Sequence, residues 1–392
     1  MAKKSNYKRL GDYIRQVDVR NRDLAVDNLL GLSVNKVFMP SIANTIGTDM
    51  TNYKIVNHRQ FVYIPDTSRR GDKIAIALLD KWNKAIVSAI YTVFEIIDTQ
   101  LLLPEYLILW FRRPEFDRYA RFKSHGSARE VFEWEEMCEV MLPVPPIEEQ
   151  RKIVAEYQAI ERRIESNRRL IATLEATAQT IYRHMFIDNI DPENLPQGWR
   201  MGTIREFVTC NTDSYSPNKD KWEQILYLDS SSVTVNQFDD KVLLIVGKDE
   251  IPSRAKRKVR ENDVIFSTVR PNLKHFGLIR GNLDNTLVST AFAVIRSKTD
   301  IISNELIYMW LTNEDTLGKL QNIAEMSKAT YPSIIPDDIL NLQVAIPSLD
   351  DNRFLAFNFQ LKQLFNYIYL LYKEISLLEK VAIIIHSKLS KL

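Results

Sequence analysis

The chain has 392 residues, of which 45% are hydrophobic and 26% are charged, as in an ordinary globular protein of two or three domains. Its 52 basic residues nearly balance its 50 acidic residues, so the net charge of +2 indicates no particular partner. The two cysteines, Cys138 and Cys210, are too few for a disulfide scaffold or a four-cysteine zinc site. They fit a reducing, cytoplasmic location. We expect neither export nor membrane insertion, because the basic N-terminal segment lacks an apolar core and the longest apolar runs are broken by Pro and Glu.

The first 145 residues alternate short runs of β-branched and aromatic residues with turn-forming residues. Runs such as "RQFVYIP", "KIAIALL" and "IVSAIYTVF" are typical of strands. The segment "PEYLILWFRRPEF" indicates short helices within the same region. These patterns predict a mixed domain of strands and helices.

A proline-rich junction separates this region from a long helix. In "LPVPPIEEQRKIV", Pro143, Pro145 and Pro146 cannot donate backbone hydrogen bonds and disfavour helix just before them, so they end the preceding strand. Glu148 and Glu149 then fall in the first helical turn, where negative charge meets the positive end of the helix dipole.

The helix after the junction carries apolar residues at steps of four and three, which predicts a heptad seam. The seam residues are Ile153, Tyr157, Ile160, Ile164, Asn167, Ile171, Leu174, Ala178, Ile181 and Met185. Asn167 either fixes the register of a helix pair as a buried residue or marks a point where the seam opens to solvent.

The second half of the chain repeats the first at an offset of about two hundred residues. "AIVSAIYTVFEI" pairs with "TLVSTAFAVIRS", and "PEYLILWF" pairs with "NELIYMWL". A second heptad seam then runs to the C-terminus through Phe354, Phe357, Leu361, Leu364, Ile368, Leu371, Ile375, Leu378, Ala382, Ile385 and Leu389. Two such seams in one chain are expected to pack against each other, since each would otherwise leave an apolar stripe in water.

These patterns predict an α+β fold with two tandem α/β domains separated by two long helices that pack against each other. The expected boundaries are residues 1–145 for the first domain, 146–190 for a central helical spacer, 191–346 for the second domain and 347–392 for a C-terminal helical spacer. A helix of about 35–40 residues spans roughly 55 Å, which suits a spacer.

The sequence contains no recognisable catalytic or metal-binding constellation. It has no glycine-rich phosphate loop, no nuclease-type acidic centre and no motif for adenine methylation, and its five histidines lie far apart. We therefore expect a non-catalytic chain that binds no cofactor or metal of its own.

Basic residues cluster near glycine or proline turns in both halves. Arg, Lys, Asn and Ser at such turns are the residue types that contact phosphates and base edges, although a charge cluster is more often a solvated face. The candidate DNA-binding residues are Arg69, Arg70, Lys123, Ser127 and Arg129 in the first half, and Arg254, Lys256, Arg257, Lys258, Arg270, Asn272 and Lys274 in the second.

The duplicated unit, the proline-rich junction and the long helix after each half together resemble the specificity subunit of type I restriction-modification enzymes, over essentially the whole chain. The most specific element is the junction pattern, which is carried by Pro143, Pro145, Pro146, Glu149 and Gln150 and is followed by "RRLIATLEATAQTIYRHMF". The second junction departs from this pattern, with Asp351 and Asn352 in place of Glu-Gln and a single proline, Pro347.

This resemblance implies that each domain is a target recognition domain for one part of a bipartite, asymmetric site on double-stranded DNA. It also implies that the two long helices pack as an antiparallel coiled coil and set the distance between the domains. It implies two partner modification subunits, which bind S-adenosylmethionine and methylate adenine, and restriction subunits in the full complex. Two alternatives are a coiled-coil interaction scaffold without DNA specificity and an enzyme with an unrecognised site.

Overall fold

The computed structural model describes residues 7–41, 47–67, 71, 73–125, 130–188, 190–239, 241–281, 283–327 and 330–389. The chain divides into two compact units, which are considered separately below. Unit 1 comprises Met1–Ser166 and Glu374–Leu392, and unit 2 comprises Asn167–Lys373.

The elements of the first half alternate short strands and helices, as the sequence predicts. The strands are β1 (Tyr7–Arg9), β2 (Ile14–Val17), β3 (Leu30–Leu32), β4 (Phe38–Pro40), β5 (Lys54–Asn57), β6 (Phe61–Tyr63), β7 (Ile76–Leu78), β8 (Lys84–Val87), β9 (Thr92–Ile96) and β10 (Met141–Pro143). The helices are α1 (Pro104–Phe111), α2 (Pro114–Lys123), α3 (Trp134–Cys138) and the long α4 (Ile147–Phe186).

The second half repeats this order with additional strands. Its strands are β11 (Arg200–Thr203), β12 (Val208–Cys210), β13 (Gln224–Leu228), β14 (Val233–Thr234), β15 (Gln237–Phe238), β16 (Val242–Ile245), β17 (Ala255–Lys258), β18 (Val264–Ser267), β19 (Phe276–Leu278), β20 (Thr286–Ser289), β21 (Phe292–Ser297) and β22 (Gln343–Ile346). Its helices are α5 (Asn304–Thr312), α6 (Glu314–Glu325), α7 (Pro336–Leu340) and the long α8 (Asn352–Leu389). The predicted α+β class is confirmed.

The central sheet has the same topology in both units. It is antiparallel, with the order β2-β9-β6-β7 in unit 1 and β12-β21-β18-β19 in unit 2. In β6, Phe61 and Tyr63 pack in the core that contains α1, whereas Val62 packs in a second core on the opposite face. In β18, Phe266 packs in the core that contains α5, and Ile265 packs in a second core on the opposite face. Successive side chains of a strand point to opposite faces, so a sheet covered on both faces needs the unbroken apolar runs that the sequence shows.

The two long helices pack together with opposite polarity. In unit 1, Tyr157 near the start of α4 stacks on His386 near the end of α8, with ring centroids 4.9 Å apart. In unit 2, Phe186 at the end of α4 contacts Phe357 near the start of α8, with centroids 5.6 Å apart. In unit 1, Arg163 of α4 also donates to Glu374 of α8 at 2.7 Å, so residue numbers rise along α4 as they fall along α8 and the pair is antiparallel in this unit, as predicted.

The seam on α4 departs from the predicted heptad near its end. Ile181 is 42% exposed, whereas Tyr182 and Phe186 are buried in its place. A straight α-helix drifts about 20° per heptad relative to a 3.5-residue repeat, which moves the buried position by one residue after several turns. Asn167 is 2% exposed, so the alternative in which the seam opens to solvent at this residue is excluded, and its Nδ2 has no hydrogen-bond partner among the described residues.

A buried amide near the start of each long helix holds the loop that precedes α1 or α5. The side chain of Gln150 donates to the carbonyls of Leu101 and Pro145 and accepts from the Leu103 N–H. In unit 2, Asn358 donates to the Ile301 carbonyl at 2.7 Å. The amide of the second junction is thus Asn358, and not Asn352 as the sequence comparison of the two junctions suggests. The Glu-Gln junction pattern therefore has a structural role.

Acidification is expected to destabilise unit 1 through His386. Burial lowers the pKa of His386 to about 4, with further lowering from Arg112 and Arg113, and its Nε2 has no partner among the described residues. The unfolded chain, with a pKa of about 6.5, takes up the proton first as the pH falls, so stability is lost by about 2 kcal/mol between pH 7 and pH 5. Denaturant unfolding at the two pH values measures this loss. His386→Phe, which keeps a ring on Tyr157, should show a smaller loss, and equal losses in both proteins would contradict the assignment.

Candidate nucleic-acid interface

In unit 2, two segments that carry predicted site residues are bonded to each other. We name residues 268–275 the Arg270 loop, which joins β18 to β19, and residues 330–334 the Tyr331 segment, which precedes α7. The Arg270 N–H donates to the Pro332 carbonyl at 2.9 Å, and the Ile334 N–H donates to the Thr268 carbonyl at 2.9 Å. These bonds place an exposed basic loop beside an exposed aromatic residue.

The backbone of the Arg270 loop adopts a conformation that non-glycine residues rarely take. Arg270 has φ 48° and Lys274 has φ 57°, on either side of the short 3-10 helix Pro271–Leu273. A left-handed conformation costs a non-glycine residue about 1–2 kcal/mol, so such residues persist only where neighbouring contacts hold them. Here the buried Pro271 and the bond to Pro332 hold the first of them. Strain of this kind concentrates at functional sites.

The predicted residues of this loop differ in how free their side chains are. Arg270 is exposed and forms no ion pair within the described part of the chain, while its Cζ lies 4.8 Å from the ring centroid of Tyr331. Asn272 is exposed, and its backbone N–H donates to Gln321. Lys274 Nζ lies 3.0 Å from Glu314 Oε1, so its charge is partly neutralised by α6.

The second predicted cluster lies on β17, an edge strand of the sheet with order β16-β13-β20-β17. Arg254 and Lys256 are exposed and have no acidic partner among the described residues. Lys258 instead pairs with Asp220 and lies over the Trp222 ring at 5.1 Å.

Arg257 differs from its neighbours on the same strand because it is partly buried. Burial lowers its pKa, and its Nε has no hydrogen-bond partner among the described residues. The pairing of β17 with β20 shifts register between Ala255 and Arg257, so the exposed Lys256 is the extra residue of a bulge and Arg257 is the next paired residue.

The turn between β20 and β21 connects the β17 cluster to the Arg270 loop. The Thr290 N–H donates to the Arg254 carbonyl, and the Thr268 N–H donates to the Ala291 carbonyl, both at 2.8 Å. The structure thus brings together two basic clusters that the sequence shows as separate. The exposed residues that this arrangement leaves available for contact with a ligand are Arg254, Lys256, Arg270 and Asn272.

Unit 1 has the same pairing of loops. The Thr67 N–H donates to the Glu130 carbonyl at 3.0 Å, and the Phe132 N–H donates to the Pro65 carbonyl at 2.9 Å. The candidates Arg69, Arg70, Ser127 and Arg129 lie outside the described residues, and these bonds join the segment that precedes Arg69 to the segment that follows Arg129. Lys123 Nζ lies 3.0 Å from Glu136 Oε2.

Tyr331, which is 56% exposed and contacts Arg270, was not among the residues predicted from the sequence. The signal that could have found it is the repeat itself, because "SKATYPS" occupies the place in the second half that "SHGSARE" occupies in the first. The acids that pair with the lysines were not predicted either. Asp220 and Glu314 are separated from their partners by 38 and 40 residues, and Glu136 lies on the helix that follows Lys123.

Within the described ranges, no group of three or more His, Cys, Asp and Glu side chains is arranged to hold a metal ion. The same part of the chain contains no helix with the length and apolar character needed to cross a membrane.

The described units define a duplicated α+β protein with the same pair of bonded loops in each copy. Residues 30–176 match the family model for the type I restriction modification DNA specificity domain. The type I restriction enzyme HindI specificity subunit of Haemophilus influenzae is 27% identical over 126 residues, which are 32% of this chain and 27% of the relative. The MjaIX specificity subunit of Methanocaldococcus jannaschii is 25% identical over 138 residues, which are 32% of each chain. The matched region spans about a third or less of the length of these relatives.

A solved structure extends the likeness in fold to the full chain. The crystal structure of the type I restriction-modification system S subunit from M. genitalium covers 100% of this chain and 97% of its own, with a TM-score of 0.60 and 13% identity. At that identity the comparison concerns the fold. Together these findings confirm the resemblance to type I restriction-modification specificity subunits.

Proposed function

We propose that this chain is the DNA sequence-specificity subunit of a type I restriction-modification complex and recognises a bipartite, asymmetric site. The observation that carries the proposal is the same pair of bonded loops in both units, with exposed basic residues beside them in unit 2. A site in two parts needs two such surfaces, and a duplicated unit supplies them. The domain boundaries at residues 145, 190 and 346 remain part of this proposal.

The proposed partners follow from the same resemblance. Two modification subunits, which bring S-adenosylmethionine, methylate adenine, and restriction subunits join them to cleave DNA. This chain then contributes recognition and assembly but no catalytic group. The outer faces of α4 and α8 are the proposed docking surfaces for the modification subunits.

The proposed DNA contacts in unit 2 are Arg254, Lys256, Arg270 and Asn272. Lysine or arginine side chains that neutralise phosphates release counterions, so affinity falls with salt by a logarithmic slope of about 0.9 per phosphate contact. Lys258 and Lys274, with carboxylate partners within hydrogen-bond distance, would have to exchange those partners for a phosphate. Lys258 and Lys274 are therefore proposed to stabilise the DNA-binding surface through these ion pairs and not to contact DNA.

Removal of the exposed basic residues is expected to weaken DNA binding by the complex of this chain with its modification subunits. In Arg254→Ala/Lys256→Ala/Arg270→Ala, we expect at least about tenfold lower affinity and a smaller salt slope. Gel shifts over a salt series measure both quantities.

The matched control for this triple variant is Lys248→Ala, because Lys248 is exposed and follows β16 at the opposite edge of the sheet from β17. It should leave affinity and slope unchanged. Salt-independent or absent DNA binding by the wild-type complex would favour the alternative of a coiled-coil interaction scaffold. Methylation of adenine by the chain alone would favour an enzyme.

A further inference from the structure

We propose that Tyr331 is a positioning residue for DNA recognition. The Tyr331 ring holds the Arg270 guanidinium so that the edge of the guanidinium faces a pair of acceptor atoms on DNA. This inference rests on the proposed function of unit 2 as a DNA-binding unit.

The backbone of Arg270 is held in place before any ligand binds. Its N–H donates to the Pro332 carbonyl, its carbonyl accepts from the Leu273 N–H at 2.9 Å, and its φ is 48°. The residue that follows, Pro271, is buried. The direction in which the side chain leaves the loop is therefore set by the fold.

The side chain of Arg270 is positioned by the Tyr331 ring, which contacts the face of the guanidinium. The guanidinium carbon lies 4.8 Å from the centroid of the Tyr331 ring, within the range of a cation–π contact. Arg270 has no carboxylate partner among the described residues. A carboxylate would occupy the N–H donors at the guanidinium edge, whereas a ring beneath the face leaves those donors free.

The Tyr331 segment and Arg270 share one backbone contact. Tyr331 immediately precedes Pro332, whose carbonyl accepts the Arg270 N–H. The ring is therefore carried by the same segment that anchors the loop. Because Tyr331 is 56% exposed, DNA can approach the pair without moving it.

A guanidinium edge with free parallel donors matches two adjacent acceptors. On DNA these acceptors are O6 and N7 of guanine in the major groove or two oxygens of a phosphate. The two sources differ in their consequence, because a base contact discriminates at one position whereas a phosphate contact affects all sequences alike.

The test is a double-mutant cycle with the complex of this chain and its modification subunits. Arg270→Ala should weaken binding to the recognised site by at least about fivefold. Tyr331→Leu should weaken it by about two- to fivefold in the wild-type background and have no effect in the Arg270→Ala background. Tyr331→Phe, which keeps the ring, should bind like the wild type.

Methylation-site sequencing of the same variants identifies the acceptor. Relaxation at a single G·C pair in one half of the site indicates guanine, and uniform weakening without relaxation indicates phosphate. Either result supports the positioning role if the cycle is non-additive. Equal effects of Tyr331→Leu in both backgrounds, or no effect in either, overturn it. The proposed function fails separately, through the absence of salt-dependent DNA binding by the wild-type complex.

Discussion

Replacement of Asp117 by alanine is expected to destabilise unit 1 by about 3–5 kcal/mol, because it leaves the Lys36 ammonium buried without its counterion. Lys36 is 4% exposed, and its ammonium donates to the Asp117 carboxylate and, at 2.6 Å, to the Ile74 carbonyl. The Asp117 carboxylate also accepts from the Ile74 N–H at 3.1 Å. Burial lowers the pKa of Lys36, while Asp117 opposes this shift.

Two matched variants separate the loss of the ion pair from a general effect on α2. Arg118→Ala removes an exposed pair with Glu115, whose atoms lie 3.4 Å apart, and should cost less than about 1 kcal/mol. Lys36→Met/Asp117→Leu removes both buried charges and should recover most of the loss. Hydrogen exchange of amides in unit 1 measures the free energy of unfolding. A cost for Asp117→Ala as small as that for Arg118→Ala would show that the pair is not needed.

A seven-residue insertion in each long helix is expected to lengthen the unspecified gap in the DNA site by about three base pairs. Seven residues preserve the 3.5-residue period and add about 10 Å at 1.5 Å per residue, and DNA rises about 3.4 Å per base pair. If helices of about 55 Å set the distance between the two DNA contacts, the half-site centres of the wild type should be on the order of 10–16 base pairs apart.

The insertion points follow from the pairing of the helices in unit 2. Phe186 of α4 contacts Phe357 of α8. In an antiparallel pair, the residue twelve positions before Phe186 lies level with the residue twelve positions after Phe357, so Leu174 is level with Tyr369. Methylation-site sequencing should show both half-sequences unchanged and a longer gap. The same insertion after Gly247, in an exposed turn, should leave the gap unchanged. Altered half-sequences with a constant gap would show that the helices do not set the spacing.

The elements of this protein and their duplication follow from local patterns in the amino-acid sequence. The paired segments that begin at Ala85 and Thr286 became β8 and β9 in one copy and β20 and β21 in the other. The heptad seams predicted that the two long helices pack together, because an apolar stripe on each helix must be buried, and the family resemblance supplied the antiparallel direction. Local periodicity and repeated order suffice for such predictions, since each concerns residues close together in the chain.

Which polar residues are available for binding, and what they contact, depends on the folded structure. Lys123, Lys258 and Lys274 look like free cations in the sequence, but each lies against an acid from a distant segment. The ring beneath Arg270 and the amide of Asn358 likewise act through partners that are far away in sequence. Such contacts depend on where the folded backbone places side chains in three dimensions, and a one-dimensional pattern of residue types does not contain that placement.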